Sequence, residues 1–137
     1  MSGERVFPNL MEAAVKYLIL IHTNPESLKI WEGLSDAQRM ELGRGHMALT
    51  EALTESGELI VSEGLADPSM AKYVSVRDGR TLVSDGPFAE VKEHLAGLYL
   101  IECDSIERAI EHAAQAPDAA YSYVEVRPIL DMSGWDF

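Results

Sequence analysis

Tyr73-Val74-Ser75-Val76-Arg77-Asp78-Gly79-Arg80-Thr81-Leu82-Val83-Ser84-Asp85 is a pair of alternating runs folded about an Asp-Gly dipeptide. Such a dipeptide between two strand-forming runs is the strongest short-range signal for a two-residue type I′ turn, whose central residues both need positive φ. The turn sets the register. Arg77 faces Arg80, Val76 faces Thr81, Val74 faces Val83, and one more rung puts Lys72 opposite Asp85. Asp85 then shares a face with Val74, Val76 and Val83. With this self-contained hairpin set aside, the remaining elements read strand, helix, strand, strand, helix, strand, the ferredoxin-like order of an α+β fold.

The elements on either side follow from local signals. Val15 to His22 is an apolar strand, and after the break at Asn24-Pro25 the capping box Ser35-Asp36-Ala37-Gln38 opens the main helix, which runs to Gly57. Leu42, His46, Leu49 and Leu53 recur at spacings of four, three and four and so lie on one face. Gly43 and Gly45 each weaken the helix by roughly 1 kcal/mol relative to Ala, which predicts an irregular first half. Glu58 to Val61 is a second strand, followed by a loop through Asp67-Pro68. Beyond the hairpin, Asp85 stands at a strand end, Gly86 is held extended by the following proline, and Pro87 opens a short helix from Phe88 to Glu93. Gly97 to Cys103 is a strand, and Asp104 with Glu107 opens a second helix. Its buried stripe is Ile106, Ala109, Ile110 and Ala113. Pro117 closes that helix, and Tyr121 to Arg127 is the last strand.

At 137 residues the chain fits one domain, expected over residues 15–130, with tails at 1–14 and 131–137. Acidic residues outnumber Lys plus Arg by 23 to 11, a field that repels phosphate backbones and anionic headgroups, so no nucleic-acid or membrane partner is expected. The longest apolar run, Leu18 to Ile21, is far short of the roughly 20 residues of a spanning helix. The single Cys103 lies in an apolar strand and forms no internal disulfide, which suggests a reducing, cytoplasmic setting.

Strand patterning also bears on assembly. Tyr17, Ile19 and Ile21 alternate with Leu18 and Leu20, and Tyr99 and Ile101 with Leu98 and Leu100, so both faces of these strands are apolar. Two helices cover one face. The simplest cover for the other is a second copy, predicting a homodimer with sheets face to face; the competing cover is loops or the N-terminal tail.

Among the chemistry-bearing residues, His46 stands out because it interrupts an apolar helical stripe, where an imidazole must be desolvated or find a partner. A satisfied core histidine fits the same pattern. Asp85, projecting from the sheet on an apolar face, is the carboxylate expected to reach it. In that dyad the carboxylate orients the ring and His46 acts as acid or base. Lys72, across the ladder, keeps Asp85 ionised; the plain alternatives are a Lys72–Asp85 ion pair and a turn-capping Asp85. His22, at the end of the first strand, and Tyr99 are further pocket candidates, with Tyr17 and Tyr123 as walls, whereas His112 falls beside Arg108 on the polar side of its helix. No phosphate loop, nucleophile elbow or paired-histidine metal spacing is present, so no cofactor is implied. Glu63, His22, His46 and Asp85 lack any local spacing that would mark a metal site.

The chain resembles the YCII-related family of DGPF-domain proteins. The likeness is carried by Lys16 to Ile21, Gly57, Glu63-Gly64-Leu65, Val76-Arg77-Asp78-Gly79, Asp85 to Glu93, Gly97, Tyr99, Ala109, Pro117 and Val124-Glu125-Val126-Arg127-Pro128. It implies a ferredoxin-like chain that pairs into a dimeric α+β barrel, and an active-site pair made by a first-helix histidine and the aspartate of the motif, here His46 and Asp85. Val91, His94 and Ala96 stand where relatives often carry Thr, Gln and Gly. The barrel superfamily includes isomerases, lyases, monooxygenases and noncatalytic members, so the fold fixes no reaction. Some relatives are encoded beside extracytoplasmic-function sigma factors. The sequence therefore points to a cofactor-free lyase, isomerase or hydrolase acting on a small-molecule ligand, with catalytic His46 and Asp85 and with His22, Lys72 and Tyr99 binding substrate. The alternative is a noncatalytic metabolite-binding or regulatory module associated with a sigma factor.

Overall fold

The computed structural model describes residues 15–134. The expectations for the tail at 1–14 and for residues 135–137 lie outside the described residues. Strand β1, Lys16–Thr23, leads into α1, Pro25–Glu32, and α2, Asp36–Glu55. β2, Leu59–Gly64, precedes the hairpin of β3, Lys72–Arg77, and β4, Arg80–Asp85. Then come β5, His94–Glu102, helix α3, Ile106–Ala113, a 3-10 turn over Pro117–Ala120, and β6, Val124–Pro128. The main sheet is antiparallel in the order β2-β5-β1-β6, the ferredoxin-like topology, with β3 and β4 as a separate two-stranded sheet inserted between β2 and β5.

The hairpin register matches the expectation rung by rung, from Arg77 opposite Arg80 to Lys72 opposite Asp85. Its turn has φ of 51° at Asp78 and 74° at Gly79, left-handed geometry that Asp and Gly tolerate best.

One face of the main sheet is covered by helices. Tyr17, Ile19 and Ile21 of β1 and Tyr99 and Ile101 of β5 pack with Leu49 and Leu53 of α2 and Ala109 and Ala113 of α3. Ile19, Leu53 and Ile101 are fully buried, each contributing about 1.5–3 kcal/mol by leaving water. Among the described residues no helix is long and apolar enough to cross a membrane.

Local readings that differ do so for identifiable reasons. Helix α1 was not anticipated; Asn24 caps it by accepting from Ser27 N at 2.9 Å, with Pro25 at its first turn. Helix α2 begins at the expected capping box but stays regular through Gly43 and Gly45. The helix expected from Phe88 to Glu93 is absent. The Gly86–Pro87 peptide is cis, Gly86 N donates to Ala71 O at 2.9 Å, and Phe88 folds back onto Tyr73 with ring centroids 4.1 Å apart. That aromatic contact holds the segment against the hairpin. In α3 the inward stripe is rotated from the expected one: Ile110 is 52% exposed whereas His112 is buried. The cause is Glu58, just before β2, which accepts from His112 Nε2 at 2.9 Å and from Arg108 Nε and Nη2, each at 3.1 Å. Small Ala109 and Ala113 let the helix approach closely enough for His112 to reach that carboxylate.

Candidate functional site

His46 sits midway along α2 on the side facing the sheet, its side chain 32% exposed. Both ring nitrogens are engaged. Nδ1 lies 2.6 Å from the Tyr99 hydroxyl on β5, and Nε2 lies 2.5 Å from Asp118 Oδ1 in the 3-10 turn after α3. The His46 and Tyr99 rings are stacked at a 15° interplanar angle. Asp118 accepts a further bond at Oδ2 from the Tyr121 hydroxyl at 3.0 Å.

A glycine makes this meeting close. A Cβ added at Gly45 would fall 2.5 Å from Pro117 Cγ, so only glycine lets the turn carrying Asp118 lie against α2 at this point. The same residue that weakens the isolated helix therefore places the carboxylate beside the next residue, His46.

Burial works against ionisation of Asp118. The hydrogen bond and charge of His46, with the Tyr121 hydroxyl, outweigh it and hold the carboxyl below its usual range. The Tyr121 hydroxyl is pushed up to about 12 by burial, by the Asp118 charge and by its bond to that carboxylate. Burial also raises Tyr99, with the Asp118 charge adding to it and Thr50 partly opposing. An ionised Asp118 only accepts, so Nε2 carries the proton; Nδ1 of the neutral ring is then the acceptor for the Tyr99 O–H. On protonation the second bond reverses, Nδ1–H donates to the Tyr99 oxygen, and the phenol proton turns to the His46 carbonyl, 3.4 Å away.

The triad borders a cavity of about 550 Å³, within the range of small-molecule sites. Its floor is a row across the sheet, Ile21, Gly97 and Gly64, paired in register. Two adjacent glycines leave the helix-facing surface without side chains there. Met47, Thr50 and Glu51 of α2 form the opposite wall.

Of the residues expected to share a site, the structure brings His46 and Tyr99 together. Asp85 is elsewhere: it pairs with Lys72 Nζ at 2.5 Å, with side chains 80% and 60% exposed. Within the chain the carboxylate on His46 is thus Asp118, not Asp85, because the hairpin is a sheet of its own that α2 does not cover. His22 lies outside the cavity and bonds Glu125 through Nε2 at 2.8 Å, with its ring stacked on Tyr123 and its buried Nδ1 without a hydrogen-bond partner among the described residues. Tyr17 is core rather than wall. Asp118 was missed because it lies 72 residues from His46 and on no shared element. The available hint was a mid-helix glycine in a chain that also places Pro-Asp just past α3.

The comparisons with known proteins agree with this fold. The family model for the YCII-related domain matches residues 15–133. An uncharacterized protein of Rhizobium meliloti (strain 1021) is 34% identical over 116 residues, spanning 82% of this chain and 90% of that protein. A match that takes in every strand of the ferredoxin-like sheet, the inserted hairpin and the site on α2 places this chain in the YCII-related family.

Proposed function

We propose that this protein is a small-molecule enzyme of the lyase, isomerase or hydrolase type, in which Asp118, His46 and Tyr99 form an acid–base relay at the wall of the cavity. The observation that carries this reading is the contact of both His46 nitrogens, 2.5 Å to Asp118 and 2.6 Å to Tyr99, beside an open cavity of about 550 Å³. Asp118 orients the ring and stabilises its imidazolium form, as the carboxylate of a Ser-His-Asp triad does. Tyr99, which lines the cavity, delivers or accepts the proton at the substrate while His46 takes up or replaces it behind. No step requires a metal or organic cofactor.

The test is a turnover screen of small amines, esters and lactones with the full chain, followed by His46→Ala and Asp118→Asn on any substrate found. His46→Ala is expected to lower kcat by about 10²–10⁴-fold, assayed below its unfolding transition because the substitution also takes a partner from buried Asp118. Turnover that survives the substitution sinks the reading.

The satisfied state of both His46 nitrogens also favours a second reading, a noncatalytic ligand-binding module in which the triad is a rigid wall. Under it, His46→Gln retains ligand affinity and no turnover is found with any bound compound.

A further inference from the structure

The charge lining this cavity bears on what the cavity can hold. Glu51, Glu63 and Asp118 border it, and among the described residues no Lys or Arg does. Among the described residues the side chains of Glu51 and Glu63 make neither a hydrogen bond nor an ion pair. Hydrogen bonds from His46 and Tyr121 hold the Asp118 carboxyl below its usual range against its burial. A carboxylate or phosphate entering this space would give up water and meet no Lys or Arg among the described residues in return, whereas an ammonium group would find the unpaired carboxyl groups of Glu51 and Glu63 as acceptors. The whole chain adds to the bias, with 23 acidic residues against 11 Lys plus Arg.

The rest of the cavity is apolar and shaped by an absence. Gly64 and Gly97 face each other across β2 and β5, and a Cβ built on Gly64 meets nothing within 4 Å. Ile21 and Met47 border the space left.

We propose that the cavity takes an organic ammonium compound, a small primary or secondary amine with an apolar body, and excludes anionic acids of the same shape. This rests on the His46 cavity being the functional site. The apolar body lies over the Gly64–Gly97 floor, and the ammonium is turned toward Glu51 and Asp118.

Three probes of one skeleton test it: 2-phenylethylamine, 2-phenylethanol and 3-phenylpropionate, titrated calorimetrically into the full chain at neutral pH and fixed salt. The amine is expected to bind at least about tenfold more tightly than the carboxylate, with the alcohol between them. Glu51→Gln should weaken the amine by about three- to tenfold and leave the alcohol unchanged. Gly64→Val, which fills the floor, should abolish binding of the amine while the unfolding midpoint stays close to wild type; Gly64→Ala serves if valine disturbs the edge strand. Equal or tighter binding of the carboxylate overturns the proposal, as does amine binding indifferent to the Gly64 variants, or no binding of any probe at about 10 mM. The outcomes separate from those of the catalytic reading. Amine binding without turnover supports the ligand class and counts against the relay as chemistry. Turnover of an anionic substrate that is lost in His46→Ala overturns the ligand class and leaves the relay in place.

Discussion

At the scale of single residues, the Glu58 carboxyl is held well below its ordinary range. Hydrogen bonds from Arg108 lead in lowering it from 4.5 to about 2, burial opposes, and Ser56 and His112 add to the lowering. A carboxyl held down in the folded state binds fewer protons there than in the unfolded chain between those two pH values. Its stabilisation is therefore complete above pH 4.5 and is lost as pH falls toward 2. Glu58→Gln is expected to cost about 1–2 kcal/mol at pH 6, less than a fully buried charged hydrogen bond because Arg108 is partly in water. Measured by urea unfolding, the gap between wild type and variant should close as pH drops from 4.5 to 2. A gap that stays constant over that range would place the effect in packing rather than in the carboxylate.

At the scale of elements, two glycines on α2 separate propensity from packing. A Cβ on Gly43 meets nothing within 4 Å, whereas on Gly45 it would lie 2.5 Å from Pro117 Cγ. Gly43→Ala should therefore add up to about 1 kcal/mol by removing backbone freedom from the unfolded chain. Gly45→Ala has the same local gain available but must push the Pro117–Ala120 turn off the helix, taking Asp118 away from His46. It is expected to show no net stabilisation and to shift the imidazole resonances of His46 as strongly as Asp118→Asn does. Equal stabilisation by the two alanines, with unchanged His46 resonances, would mean the turn yields without loss of the contact. This pair also marks where the sequence is legible. The hairpin register and the start of α2 are written in two to four adjacent residues, Asp78-Gly79 and Ser35 to Gln38, and both are found as read. The glycine at 45 is interpretable only with Pro117 beside it, and the rotation of α3 only with Glu58 beneath it. Both depend on contacts between distant elements, which periodicity does not encode. The same holds for Phe88, whose packing on Tyr73 overrides the helical start that Pro87 suggests.

At the scale of the whole molecule, the unanswered demand is apolar surface. Val74, Val76 and Val83 on one face of the hairpin are 64%, 66% and 62% exposed, and among the described residues β3 and β4 pair with no other strand. The main sheet adds to this, since Leu18, Leu98 and Leu100 face away from the helices and are only half-buried. Contiguous surface of this kind is rarely left open in a monomer. We propose that a second copy covers both patches, because a two-fold axis presents each of them twice. On this account Asp85 and Lys72, which share the valine face of the hairpin, lie within or at the rim of the interface, and their ion pair leaves the open solvent it occupies in the single chain. Light scattering on the full chain should then give the mass of a dimer at about 100 μM, a concentration well above the Kd of stable interfaces. The double variant Val76→Lys and Val83→Lys should run as a folded monomer, since a lysine ammonium on the buried face cannot keep its water. A wild type that is monomeric at that concentration would overturn the pairing and assign the cover of the sheet to residues of the chain itself.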